Sequence, residues 1–165
     1  MSIFQSIIDL RTSADELRRR CYGVIEMAAG RLAAVHFRPW PKLISLPEAL
    51  YLSRWQRQFL TGDRCWLYYD QPLLHRNFLA VKYVLSSHDC TFATLKGAMT
   101  VLEEIARIKR TDAALADVSN VKISDRLLAR EGWQRHCQPS FHRHFIKRYY
   151  GEYPPPAAAW ALCAT

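Results

Sequence analysis

Apolar and polar positions along this chain change period once, near Thr61. Before that point the pattern is largely helical. Ser13-Ala-Asp-Glu16 forms a capping box, which places a helix start near Ala14. The Arg18–Arg20 run that follows reads as a solvated face. Over Gly23–Phe37, alanines and β-branched residues alternate without a clear period, so helix and strand both stay open there. Phe37-Arg-Pro-Trp-Pro41 must be extended or turned, because two prolines two apart exclude a helix. Ser45-Leu-Pro-Glu48 is a second capping box with proline in the first turn. It predicts a helix to about Leu60, on which Ala49, Leu52, Trp55 and Phe59 recur at helical spacing.

After Thr61-Gly-Asp63 the chain becomes strand-like. Cys65-Trp-Leu-Tyr-Tyr69 is rich in aromatics, Asp70-Gln-Pro72 predicts a turn, and Asn77–Ser86 is the strongest strand pattern in the sequence. Thr91 or Thr94 can cap a helix to about Arg110, with Leu95, Met99, Leu102, Ile105, Ala106 and Ile108 as its apolar stripe. A short strand (Ala113–Val118) and a short helix (Ile123–Arg130) follow. Trp133–Cys137 and His142–Tyr150 then flank Gln138-Pro-Ser140, which reads as a hairpin turn. Tyr153-Pro-Pro-Pro156 ends the regular pattern. The expected organisation is one domain over residues 1–153 and a Pro/Ala-rich tail over 154–165 that is poorly ordered or merely docked.

Composition narrows this picture only modestly. At 165 residues, 50% hydrophobic and 23% charged, the chain suits one globular domain. Its longest uncharged apolar run, Ala157–Ala164, is too short to span a bilayer. Acidic residues mixed with arginines in the first twenty positions do not suit a secretory signal, so a cytoplasmic location without a membrane partner is expected. Five dispersed cysteines fit neither a disulfide framework nor a zinc ribbon and read mostly as small apolar residues. His136, Cys137, His142 and His144 match no metal spacing. The net charge of +8 is compatible with a polyanion or an anionic cofactor. The basic residues are scattered, however, and the aromatics around Trp66 suit a core, so nucleic acid is not the expected partner.

The most specific stretch is Val118-Ser-Asn120, then Ile123–Arg130, then Glu131-Gly132-Trp133. A strand ending in Asn, a short helix and a Gly-aromatic pair fall in the order found in one group of proteins. From Asn77 to Tyr150 the chain resembles the GNAT superfamily of N-acetyltransferases. The resemblance implies an α/β (α+β) fold: a mixed, mostly antiparallel central sheet flanked by helices, here with a largely helical amino-terminal third and fewer strands there than the family carries. It further implies that Asn77–Ser86 and Ala113–Val118 diverge around the pantetheine of acetyl-CoA or another acyl-CoA. The pyrophosphate would lie at the following helix start. Carried over residue by residue, the cofactor contacts are Val84, Leu85, Ser86, Thr91, Thr94, Lys96, Gly97, Ala98 and Asn120.

Two departures from the family pattern bear on chemistry. The phosphate loop is Ala93-Thr-Leu-Lys-Gly-Ala98, without the usual Gln/Arg and with Lys96 in place of the first glycine. The position of the common tyrosine acid, four residues before Gly132, is Leu128. For the base and positioning groups the candidates are His88, just past the strongest strand and next to Asp89, together with Asp117 and Ser119 on one face of the second cleft strand. The reading is an acyl-CoA-dependent N-acyltransferase with a small-molecule or protein amine as acceptor. One alternative is a non-catalytic protein of the same fold that binds a small ligand or a protein partner. A basic nucleic-acid-associated domain is the other.

Overall fold

In the computed structural model the described residues are 5–41, 61–118, 123–136 and 143–163. Alternate side chains on each strand are buried, and this alternation selects the core face of the sheet. On β4 (Arg64–Asp70) the buried set is Cys65, Leu67 and Tyr69. They lie opposite Met27, Ile25 and Gly23 of β2 (Tyr22–Ala28) and opposite Ser86, Val84 and Val81 of β5 (Phe78–Ser86). Val35 and Phe37 of β3 (Arg31–Phe37) and Ile7 of β1 (Ser6–Ile7) extend the same face outward. Across the other half, Ala114 and Ala116 of β6 (Ala113–Val118) lie beside Lys147 and Phe145 of β8 (Arg143–Arg148). The two-residue β7 (Gln134–Arg135) closes the far edge.

The eight strands run in the order β1-β3-β2-β4-β5-β6-β8-β7, and every neighbouring pair is antiparallel except β5–β6. The long helix α2 (Phe92–Lys109) makes the crossover between those two parallel strands. Its buried stripe, Ala98, Val101, Leu102, Ile105 and Ala106, packs across β2, β3 and β4. The architecture is a mixed α+β fold with a mostly antiparallel open sheet. None of its described helices is long and apolar enough to cross a membrane.

The amino-terminal third departs from the helical expectation. Among its described residues the helix is α1 (Ala14–Arg19), and Gly23–Phe37 folds as the β2–β3 hairpin. Ala29 (φ 49°) and Gly30 (φ 75°) form a two-residue turn with both central φ angles positive, the geometry whose twist suits paired strands. Sheet packing against α2 resolved an ambiguous pattern in favour of strand. Ser13 does start α1, but its side chain makes no capping bond, and Glu16 binds Arg20 Nε at 2.7 Å instead. The expected helix to Leu60 and the Gln138-Pro-Ser140 turn lie outside the described residues.

The carboxyl-terminal segment of Pro and Ala is docked. Its helix α4 (Pro156–Trp160) places Trp160 Nε1 3.2 Å from Glu104 Oε1, and Arg11 lies over the indole at 4.8 Å. Leu32 N donates to Leu162 O at 2.8 Å, and Ala159 and Cys163 are buried. Truncation after Tyr153 exposes this apolar contact and is expected to lower unfolding free energy by roughly 2–4 kcal/mol in urea titrations. An unchanged midpoint and slope would show that the segment contributes nothing.

Candidate active site

The cleft begins with one extra residue. Along β4–β5 the register passes from Tyr68↔Tyr83 to Tyr69↔Val81, so Lys82 has no opposite residue and β5 carries a bulge there. On its other edge β5 pairs with β6 only from Phe78↔Ala113 to Val81↔Ala116. Beyond that point β5 continues to Ser86, while β6 stays paired with β8 through Val118↔Arg143. The two parallel strands therefore separate immediately before the bulge, and their mutual ladder stops short of Lys82–Ser86 and Asp117–Val118. Such edges accept an extended polyamide as they would a strand.

Alternation assigns the walls. Val84 and Ser86 share the core face with Val118, whereas Tyr83, Leu85 and Asp117 belong to the opposite face. Asp117 is exposed and lies directly across the ladder from His144. Ser119 and Asn120 lie outside the described residues. Val84, Leu85, Ser86 and Asp117 are thus brought to the cleft. His88 stands in the β5–α2 loop with a side chain 90% exposed and its Nδ1 3.2 Å from Asp89 Oδ1.

The amino end of α2 is already engaged. Thr91 is its N-cap and accepts from Thr94 N through its hydroxyl. Asp63 Oδ1 accepts from Thr91 N at 2.8 Å, and Asp63 Oδ2 accepts from the Thr91 and Thr94 hydroxyls at 2.8 and 2.7 Å. Gly30 N donates to the same Thr94 hydroxyl at 2.8 Å, tying in the β2–β3 turn. Burial pushes the Asp63 carboxyl up, but the Thr91 amide and the Thr94 and Thr91 hydroxyls outweigh it and hold it below its ordinary value. A negative charge at this helix end is the favoured arrangement.

The remaining phosphate-loop candidates face elsewhere. Lys96 Nζ lies 3.3 Å from Glu131 Oε1 and is half exposed. Gly97 packs on β2, where an added Cβ would fall 2.6 Å from Met27 Cε, and Ala98 is fully buried. Leu128 is buried in the core and offers no proton donor. It belongs to α3 (Asp125–Arg130), which Ser124 caps by accepting from Leu127 N at 3.2 Å. That cap starts the helix two residues later than Ile123. Gly132 (φ 84°) then ends it, with Trp133 N bonded to Leu128 O at 2.9 Å, and this accounts for the Gly-aromatic pair. Sequence reasoning missed Asp63 and the bulge. Thr61-Gly-Asp63 reads only as a helix stop, and a one-residue register shift leaves no mark in an apolar strand.

No family model matches this chain, and no curated protein does so. A solved structure that it resembles is described as the crystal structure of nourseothricin acetyltransferase. The two share 12% identity over 89% of this chain and 99% of the other, with a TM-score of 0.42.

Because the Asp63 carboxyl is held below its ordinary value, its contribution to stability is present above the unfolded carboxylate range and is lost as pH falls through the depressed folded value. Asp63→Ala is expected to cost about 1 kcal/mol or more at neutral pH, and little at about pH 2. Urea titrations of both proteins across that range check the convergence.

Proposed function

We propose that the protein is an acyl-CoA-dependent N-acyltransferase. The observation that carries this reading is the divergence of β5 and β6 at the Lys82 bulge, next to the start of the crossover helix. The edge of Lys82–Ser86 beyond the β6 ladder suits the amides of a pantetheine arm, and Val84 with Leu85 supplies apolar contact along it. An acyl thioester bound there supplies an electrophilic carbonyl and a thiolate leaving group. Asp117 holds the acceptor amine at the opposite wall and takes its proton directly or through one water. Leu128, in place of a hydroxyl, offers the departing thiolate no proton from that position. Lys96, half exposed in the first turns of α2 and 3.3 Å from Glu131, is one cation that the phosphates would draw from that pair.

A second reading is favoured by one observation. Asp63 already occupies donors at the end of α2 where a diphosphate needs them. On that reading the same cleft binds a small ligand or a protein segment without catalysis.

Calorimetric titration separates the two. Acetyl-CoA is expected to bind with a dissociation constant on the order of 10–100 μM, weakened roughly tenfold by Lys96→Glu. Absence of heat at millimolar ligand favours the second reading. With a panel of amines and a thiol-release assay, Asp117→Asn is expected to lower kcat roughly 100-fold while leaving acetyl-CoA affinity unchanged. An equal loss of affinity would make Asp117 a binding residue instead.

A further inference from the structure

Exposed apolar side chains gather at the end of the sheet away from the cleft. Among the described residues six large apolar or aromatic side chains are exposed. Two of them, Ile8 and Phe92, stand past β1 and at the first turn of α2, toward the cleft end. The other four, Trp40, Leu73, Leu74 and Tyr150, follow β3, β4 and β8 at the end where β5 and β6 begin. Backbone contacts hold each of them there. His75 N donates to Pro72 O at 3.1 Å, so Leu73 and Leu74 are the central residues of a tight turn, 59% and 93% exposed. The buried Gln71 clamps that turn, donating from Nε2 to Arg76 O at 2.5 Å. Trp40, 73% exposed, stands between Pro39 and Pro41, just past Arg38, whose amide donates to Tyr22 O at 3.0 Å. Tyr150, 72% exposed, takes a left-handed φ of 47°, with its amide on Asp112 O at 3.2 Å. Turn tips ordinarily carry polar residues or glycine, so packing does not account for these four side chains.

Cations surround them. Arg19 closes α1, Arg76 follows the leucine turn, Arg110 follows α2 and Arg148 ends β8, and all four are exposed. None of the four forms an ion pair with a described residue. Of the acids at this end, Asp15 and Glu16 are taken by Arg18 and Arg20, and Asp70 by Arg38. That leaves Asp112, bonded to the Asn77 amide, and Glu152, so positive charge is in excess. At about 4.8 Å between neighbouring strands, the row from β3 to β8 covers roughly 25 Å.

We propose that this end of the sheet is a docking surface for an anionic lipid bilayer. Leu73 and Leu74 enter the acyl boundary, Trp40 and Tyr150 lie at the level of the headgroups, and the arginines meet the anionic headgroups. A nucleic acid would use the arginines and leave two leucines in water, whereas a bilayer uses both sets. β5 runs away from this surface, and its nine residues, at about 3.3 Å each, set the cleft end back by roughly 25 Å. The contact therefore leaves the cleft open to water and does not depend on what the cleft binds.

The test is co-sedimentation of the full chain with vesicles, one set of phosphatidylcholine alone and one with about 30% phosphatidylserine. Binding is expected to the second set only, and to fall about tenfold between roughly 0.1 and 0.5 M salt. Leu74→Asp is expected to weaken it about tenfold, and Arg76→Glu combined with Arg110→Glu likewise. Leu74 is almost fully exposed, so Leu74→Asp spares the core, which an unchanged urea midpoint verifies. No sedimentation with the anionic vesicles, or equal sedimentation with both sets, overturns the proposal. So does binding that Leu74→Asp leaves intact, which marks charge attraction alone. A dimer in light scattering that Leu74→Asp dissolves assigns the patch to a second copy and overturns it too.

Discussion

Everything around the cleft depends on β5 serving two neighbours that run in opposite directions. Its antiparallel ladder with β4 must continue from Ala80 to Ser86, while its parallel ladder with β6 must stop at Val81. A regular strand would carry both ladders equally far. The extra residue at Lys82 bends and twists β5 locally, keeping one partner and releasing the other. β6 ends its pairing with β5 at Ala116 but keeps β8 on its other edge through Val118. The gap thus arises from backbone register, and side chains only line it.

The helix that crosses over this gap presents its amino end next to it, and there the electrostatics are settled internally. Asp63 takes the role an external anion would otherwise fill, binding one amide and two hydroxyls. Lys96 and Glu131 form a second, looser pair between α2 and the α3–β7 turn. The result is a helix start held by the protein itself. An incoming diphosphate would have to share Lys96 and bind beside a carboxylate, which distinguishes this site from one built on open glycine amides.

Much of the carboxyl-terminal half is legible in the sequence because its cues are local. Thr91 caps its helix as its place predicts, Gly132 stands where a left-handed residue is required, and Ala113–Val118 forms a strand over those same residues, while the Ser124 cap moves the next helix start past the expected Ile123. The amino-terminal third is not, because Gly23–Phe37 lacks a decisive period; strand pairing with β4 and cover from α2 settle it, and both are distant in sequence. Of the candidate site, Val84, Leu85, Ser86 and Asp117 follow from strand placement alone. The partners of Thr91 and Thr94 are invisible in the sequence, because Asp63 and the loop before α2 meet only once β4 and β5 are paired.

Gly97 occupies a point where three segments of the chain converge. The space its missing side chain leaves is bounded by Met27 of β2, the Gly30 carbonyl of the first hairpin and Leu162 of the docked terminal segment. The amide of the same Gly30 is bonded to the Thr94 hydroxyl, which in turn holds Asp63. The docked terminal segment, the tip of the first hairpin and the start of the crossover helix are therefore mechanically one unit. A disturbance at the end of the chain has a short, stiff route to the mouth of the cleft.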